Sequence, residues 1–195
     1  MGQEKNRLNS LLEWAKTEII LLGESDKFSI EPLREEASTR KYFRLKSEGT
    51  NYILVDSSYE INSSLIFNSM SLELLSQGVN VPEVFSFDQR NGYMLIEDFG
   101  DNLYQDLLSE ENEFELYNSA FDELIKIQRT SIKNLKKLDR NKASEQMNLF
   151  EYWFLDKYLS INLRPFEKDC INSAYQFILD GFFAQPQVIC HFDFE

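Results

Sequence analysis

What most constrains this chain is a change of hydrophobic period at Gly100: short runs alternating every second residue come before it, and residues recurring every third or fourth come after. Tyr42 to Lys46 sets Phe43 and Leu45 against Arg44 and Lys46, and Tyr52 to Val55 is a second β-type run. Ser47-Glu48-Gly49-Thr50-Asn51 lies between them as a hairpin loop. Residues 28–33, with Phe28, Ile30 and Leu33 apolar, predict a short edge strand, where Pro32 is tolerated because an edge residue needs no ladder N–H. Pro82 opens a second hairpin with strands over 83–87 and 93–96. Asp88-Gln89-Arg90-Asn91-Gly92 joins them, and Asn91-Gly92 is expected to supply the positive-φ positions. A helix capped by Asn62 or Ser63 and ended at Gly78 separates the two hairpins, and an amphipathic helix over 5–22, ended at Gly23, precedes them. The order is helix, three strands, helix, two strands.

Beyond Gly100 the pattern is helical. A short helix is expected over 102–108, and Ser109 is placed to cap a longer one sharing Phe114, Tyr117, Phe121, Leu124 and Gln128 on one face. Lys133 to Lys142 reads as a polar, basic linker. Leu149, Phe150, Trp153, Phe154 and Tyr158 form an aromatic stripe on the next helix; Ile171, Tyr175, Ile178, Phe182 and Phe183 line the last. Stripes of this kind predict core. Gln187 to Cys190 then reads as a short apolar strand. The expectation is an α+β fold of two lobes, with an N-terminal helix over 1–24, a sheet lobe and linker over 25–100, and a partial helical lobe over 101–195. Ligands favour the crevice between such lobes.

Composition narrows the function. A formal charge of -13 argues against a nucleic-acid binder, which needs a basic footprint to neutralise phosphates. A polyanionic ligand could bind only at a locally basic spot, and one exists where Arg34, Arg40, Lys41, Arg44 and Lys46 face only Glu35 and Glu36. Cys170 and Cys190 show no CxxC spacing and the chain has one histidine, so neither a disulfide framework nor a zinc site is indicated. No stretch is long and apolar enough for a bilayer, and the N-terminus lacks a signal-type apolar region. A cytoplasmic protein with no membrane partner is expected.

Three constellations could carry chemistry. His191-Phe192-Asp193 is an HxD sequence at the end of an apolar run, the arrangement that opens the catalytic loop of kinase-like phosphotransferases, where the Asp takes the proton of the attacking hydroxyl. Met94-Leu95-Ile96-Glu97-Asp98-Phe99-Gly100-Asp101 carries a strand into an acidic turn; in a bilobal phosphotransferase the linker between lobes would lie there, with the Glu97 carbonyl and the Phe99 N–H best placed by register to meet an adenine edge. Glu35 to Leu45 brings small polar residues into a basic strand: amides at 37–40, the Ser38 and Thr39 hydroxyls and the Arg40 or Arg44 charge could hold phosphates, although no Walker loop is present. Asp98-Phe99-Gly100 also spells the metal-binding tripeptide of protein kinases. That tripeptide follows the catalytic loop in chain order, whereas this one precedes His191, so the match is coincidental.

Taken together, the runs 37–45 (ASTRKYFRL), 52–56 (YILVD), 81–84 (VPEV), 95–101 (LIEDFGD), 151–155 (EYWFL) and 185–193 (QPQVICHFD) resemble the aminoglycoside phosphotransferase superfamily, and within it the bacterial anomeric kinases of N-acetylmuramate and N-acetylglucosamine. The resemblance covers essentially the whole chain from about residue 7. It implies a bilobal protein-kinase-like fold whose helical lobe is incomplete here, with ATP and Mg as cofactors and a small sugar as acceptor. It makes Asp193 the catalytic base, His191 its loop partner, Glu97 to Phe99 the adenine-facing linker and Ser38 to Arg40 the phosphate-facing loop.

Three departures from that pattern stand out. The third strand carries no Lys, so Arg40, Lys41 or Arg44 would have to supply its charge. Phe192 stands where Arg is common. The residues that hold Mg²⁺ are expected beyond Glu195, which implies a fragment without useful turnover. The alternatives left open are a noncatalytic nucleotide-binding or regulatory protein, favoured by the missing Lys, and an aminoglycoside-type phosphotransferase.

Overall fold

The structure is a computed structural model that describes residues 2–33, 39–133, 135–192 and 194. Its elements follow the predicted order. Helix α1 (Gly2–Leu21) precedes strands β1 (Ser29–Pro32), β2 (Lys41–Lys46) and β3 (Asn51–Asp56). Helix α2 (Ile61–Leu75), strands β4 (Val84–Asp88) and β5 (Tyr93–Glu97), and helices α3 (Tyr104–Leu107) and α4 (Glu113–Arg129) follow. Helix α5 (Arg140–Leu149) continues without a break into a π-helical segment, Phe150–Tyr158, and α6 (Pro165–Phe183) is the last element. The chain divides into two compact units, 1–132 and 133–195, so α3 and α4 fall with the sheet and the boundary lies at the polar stretch read as a linker.

In the first unit every strand pairing is antiparallel, in the order β1-β2-β3-β5-β4. Pro32 ends the edge strand β1, as its missing N–H requires. Because side chains alternate across a sheet, β3 divides its residues between two faces. Tyr52 and Leu54, with Leu45, Tyr93 and Leu95, pack under Leu11, Ala15 and Ile19 of α1. Ile53 and Val55, with Met94 and Ile96, are buried on the opposite face among Tyr42, Phe67 of α2, Val84 and Phe87. The β4 register shifts between Val84 and Ser86, so Phe85 joins the α1 face while Val84 and Phe87 join the other. Phe85 meets Tyr52 edge to face at 5.3 Å.

Helix α1 stops where Gly23 takes φ +87, with Glu24 N–H donating to the Ile19 carbonyl, and α2 closes the same way at Gly78 (φ +79). Arg7 ties the start of α1 to the sheet. It makes a bidentate pair with Asp56 (2.7 Å), donates to the Asn91 carbonyl (2.6 Å) and lies over the Tyr93 ring at 4.8 Å.

Several expectations need correction. The residue before α2 is Glu60, and neither Asn62 nor Ser63 caps that helix; α4 is preceded by Asn112 rather than capped by Ser109. In the β4–β5 turn only Gly92 takes positive φ, because the Asp88 carboxylate receives the Arg90 and Asn91 amides and holds Asn91 in an ordinary conformation. Residues 187–190 form no strand. The aromatic stripe is not core in the described chain: Phe150, Trp153, Phe154 and Tyr158 are all exposed, Trp153 by 60%. The second unit is essentially a helical hairpin, and of the large side chains on α6 only Tyr175 and Leu179 are buried. Among the described residues no helix is long and apolar enough to cross a membrane.

Candidate functional site

Strand β2 places its even-numbered side chains on the face that meets α2, so Tyr42 and Arg44 share one side of the sheet with Ile53, Val55, Met94 and Ile96, and Arg40, just before β2, reaches α2 itself. The four-residue step from Arg40 to Arg44 spans about 13 Å of extended chain. The two arginines therefore mark opposite ends of an apolar face.

At one end Arg40 meets the start of α2. Its Nη2 donates to Ser63 Oγ at 2.6 Å, and its Nε lies 3.5 Å from Glu60 Oε2. Thr39 donates to the same carboxylate through its hydroxyl, at 2.5 Å, and through its amide, at 3.4 Å. The Thr39 hydroxyl, then its amide and the Arg40 charge, hold the Glu60 carboxyl below the usual Glu value. Glu60 thus fixes both Thr39 and Arg40 beside the helix N-terminus, where backbone N–H groups add positive potential. Nothing in the sequence marked Glu60 as a site residue, because its partners lie about twenty positions earlier and meet it only once β2 and α2 are packed.

At the other end Arg44 is committed to carboxylates. Nε and Nη2 donate to Asp98 at 2.7 and 3.2 Å, while Nη1 and Nη2 donate to Asp101 at 2.7 and 2.8 Å. Those hydrogen bonds, from Asp101 first and then Asp98, raise the guanidinium above its usual value and lower the Asp101 carboxyl. Asp98 Oδ1 also accepts the Gly100 amide at 2.9 Å, where Gly100 takes φ +79. The Glu97 amide donates to the Glu83 carbonyl at 2.9 Å, and its carboxylate accepts from the Glu83 amide at 3.2 Å. Phe99 is exposed, and its N–H has no hydrogen-bond partner among the described residues.

Of the predicted site residues, the first unit brings Thr39, Arg40, Arg44, Glu97 and Phe99 to one sheet face and the linker that leaves it. Ser38 lies outside the described residues, as does Asp193. In the second unit, His191 is exposed, with its ring edge to face on Phe194 at 5.9 Å. Phe192, the middle residue of HxD, takes φ +68, a left-handed conformation costly for a bulky side chain. Such outliers concentrate in functional loops. Among the described residues no three His, Cys, Asp or Glu side chains group together.

No protein-family model matches the chain. Curated relatives do. The N-acetylmuramate/N-acetylglucosamine kinase of Pseudomonas putida is 26% identical over 201 residues, covering 100% of this chain and 59% of its own length. The enzyme of the same name from Pseudomonas aeruginosa is 27% identical over 88% of this chain and 51% of its own, and that of Neisseria meningitidis serogroup B is 28% identical over 82% and 49%. The chain therefore spans about half the length of the curated relatives it matches. Among solved structures, a protein from Ralstonia eutropha assigned to the aminoglycoside phosphotransferases superposes with a TM-score of 0.56 at 11% identity, over 83% of this chain and 52% of that one. Sequence and fold agree with the resemblance read from the motifs: the chain is similar in sequence to the N-acetylmuramate/N-acetylglucosamine kinases and has the kinase-like fold of the aminoglycoside phosphotransferases.

Proposed function

We propose that the protein is an ATP-dependent sugar kinase that transfers the γ-phosphoryl group to the anomeric hydroxyl of N-acetylmuramate or N-acetylglucosamine. The observation that carries this reading is the match along the whole chain to kinases named for those two sugars. The described residues supply compatible parts. Arg40, steadied by Glu60 and Ser63, takes the place of the missing third-strand Lys as the cation for the nucleotide phosphates. The linker backbone at Glu97 to Phe99 receives the adenine edge.

His191 and Asp193 complete the reading as the loop that handles the acceptor. Asp193 orients the sugar hydroxyl and takes its proton as the oxygen attacks phosphorus, a role worth about 10²- to 10⁴-fold in rate. Bound magnesium would neutralise the phosphates, and phosphoryl transfer depends on such charge compensation and on positioning. The protein acts where ATP and free amino sugar are both available, which is the cytoplasm.

The test is phosphorus NMR of the protein, expressed over its whole coding sequence, with Mg-ATP and each sugar. An anomeric phosphate signal that disappears in Asp193→Ala is expected. ATP bound without transfer to either sugar would contradict the reading and favour a noncatalytic nucleotide-binding protein, and transfer to an aminoglycoside alone would redirect it to a resistance enzyme.

A further inference from the structure

Arg44 is heavily committed to carboxylates. It sits mid-sheet on β2, its side chain only 9% exposed, and all three guanidinium nitrogens donate to carboxylates of the segment that follows β5. Asp98 is equally buried, at 5%, whereas Asp101 is 78% exposed. An Arg–carboxylate fork fixes direction as well as distance, because two parallel N–H···O bonds allow little rotation. Two such forks on one guanidinium hold both sides of a short turn. Asp98 also binds the Gly100 amide, so the positive-φ turn at Gly100 is tied to the same group. On the other side of the linker, Glu97 is anchored to Glu83 through its amide and its carboxylate. Between these anchors lies the Phe99 N–H, with no partner among the described residues.

A guanidinium saturated by carboxylates is a poor phosphate ligand: breaking charge-assisted bonds to make equivalent ones gains little, and Asp98 and Asp101 would repel the incoming anion. We propose that Arg44 is a positioning residue for the nucleotide base, clamping the linker through Asp98 and Asp101 so that the backbone of Glu97 to Phe99 is already set when a purine arrives. The inference rests on the kinase reading and refines it by separating two arginines, Arg40 just before β2 for the phosphates and Arg44 on β2 for the linker. Its physical content is preorganisation, in which a backbone held before binding loses less freedom on binding.

The experiment titrates two probes separately, a nonhydrolysable ATP analogue with Mg²⁺ and tripolyphosphate with Mg²⁺, into the protein expressed over its whole coding sequence and into its Asp101→Ala and Arg44→Lys variants. Asp101 is exposed, and its loss leaves Arg44 paired with Asp98, so Asp101→Ala retains the fold. Loosening the clamp is expected to weaken the ATP analogue about tenfold, the scale of a lost charge-assisted contact, and to leave tripolyphosphate within about twofold. Arg44→Lys, which keeps the charge but loses the fork, should weaken the analogue in the same selective way.

Equal weakening of both probes would overturn the proposal and return Arg44 to the phosphates, and so would an unchanged affinity for the analogue in both variants. A parent protein that binds neither probe would instead remove the nucleotide reading itself, and the clamp with it.

Discussion

The two units of this chain use apolar residues in opposite ways. In the first, each strand alternates its side chains between two covered faces, and Leu45, Leu54, Val55 and Leu95 are wholly buried. In the second, large apolar side chains such as Trp153, Tyr158, Phe166 and Phe177 lie at the surface. A strand in mid-sheet has both faces fixed by its neighbours and by the helices packed on them. A helix in a hairpin has one neighbour, so a wide stripe of aromatics extends past the contact. A periodic stripe gives the direction of an apolar face and not what covers it.

Substitutions sharpen that contrast, starting with the largest expected effect. Leu54→Ala should cost about 2–5 kcal/mol, because the residue is fully buried between β2, β5 and α1, whereas Trp153→Ala should change stability by no more than about 0.5 kcal/mol. Urea denaturation of the two variants measures the difference. Equal costs would mean that the stripe is buried in solution.

Next in size is Gly92→Ala. Gly92 has φ +72, and a Cβ there would lie 3.1 Å from the Ser57 carbonyl carbon and oxygen, which predicts a loss of about 1–3 kcal/mol. Arg7→Met leaves Asp56 without its guanidinium, with only the Ser58 amide among the described residues still bonded to it, and should cost about 1–3 kcal/mol in the same measurement. An unchanged midpoint for Arg7→Met would show that α1 is held by its apolar face alone.

The smallest effect is on pH. Asp101 and Glu60 are held below their ordinary values by Arg44 and Thr39 respectively. A lowered carboxyl contributes stability that is fully present above its unfolded value, about 3.9 for Asp and 4.3 for Glu, and is lost as pH falls through the lower folded value. The melting temperature should therefore fall below about pH 4, with a shallower fall in Asp101→Asn. A fall of equal slope in that variant would remove Asp101 from the account.

The sheet was legible in the sequence because its signals are local. Phe43 and Leu45 alternate against charges, Pro32 marks an edge, and Gly23 and Gly78 end helices. Caps were less legible, since Asn62, Ser63 and Ser109 are all able to cap and the choice among them depends on where the preceding chain arrives. Arg40 and Arg44 could be singled out as basic residues in and just before one strand. Their separate partners could not, because Glu60, Asp98 and Asp101 reach them only through the pairing of β2 with β3, β3 with β5, and the packing of α2. Asp98-Phe99-Gly100 could be set aside as a metal motif from chain order alone, but that Asp98 binds Arg44 emerges only in the fold.

The most direct test of the central claim follows phosphoryl transfer to N-acetylmuramate and nucleotide binding together in Asp193→Ala. The account predicts that ADP binds the variant within about threefold of the parent while turnover falls by about 10²-fold or more. Turnover within tenfold of the parent would contradict it, because a sugar hydroxyl activated without Asp193 leaves the HxD loop with no chemical role.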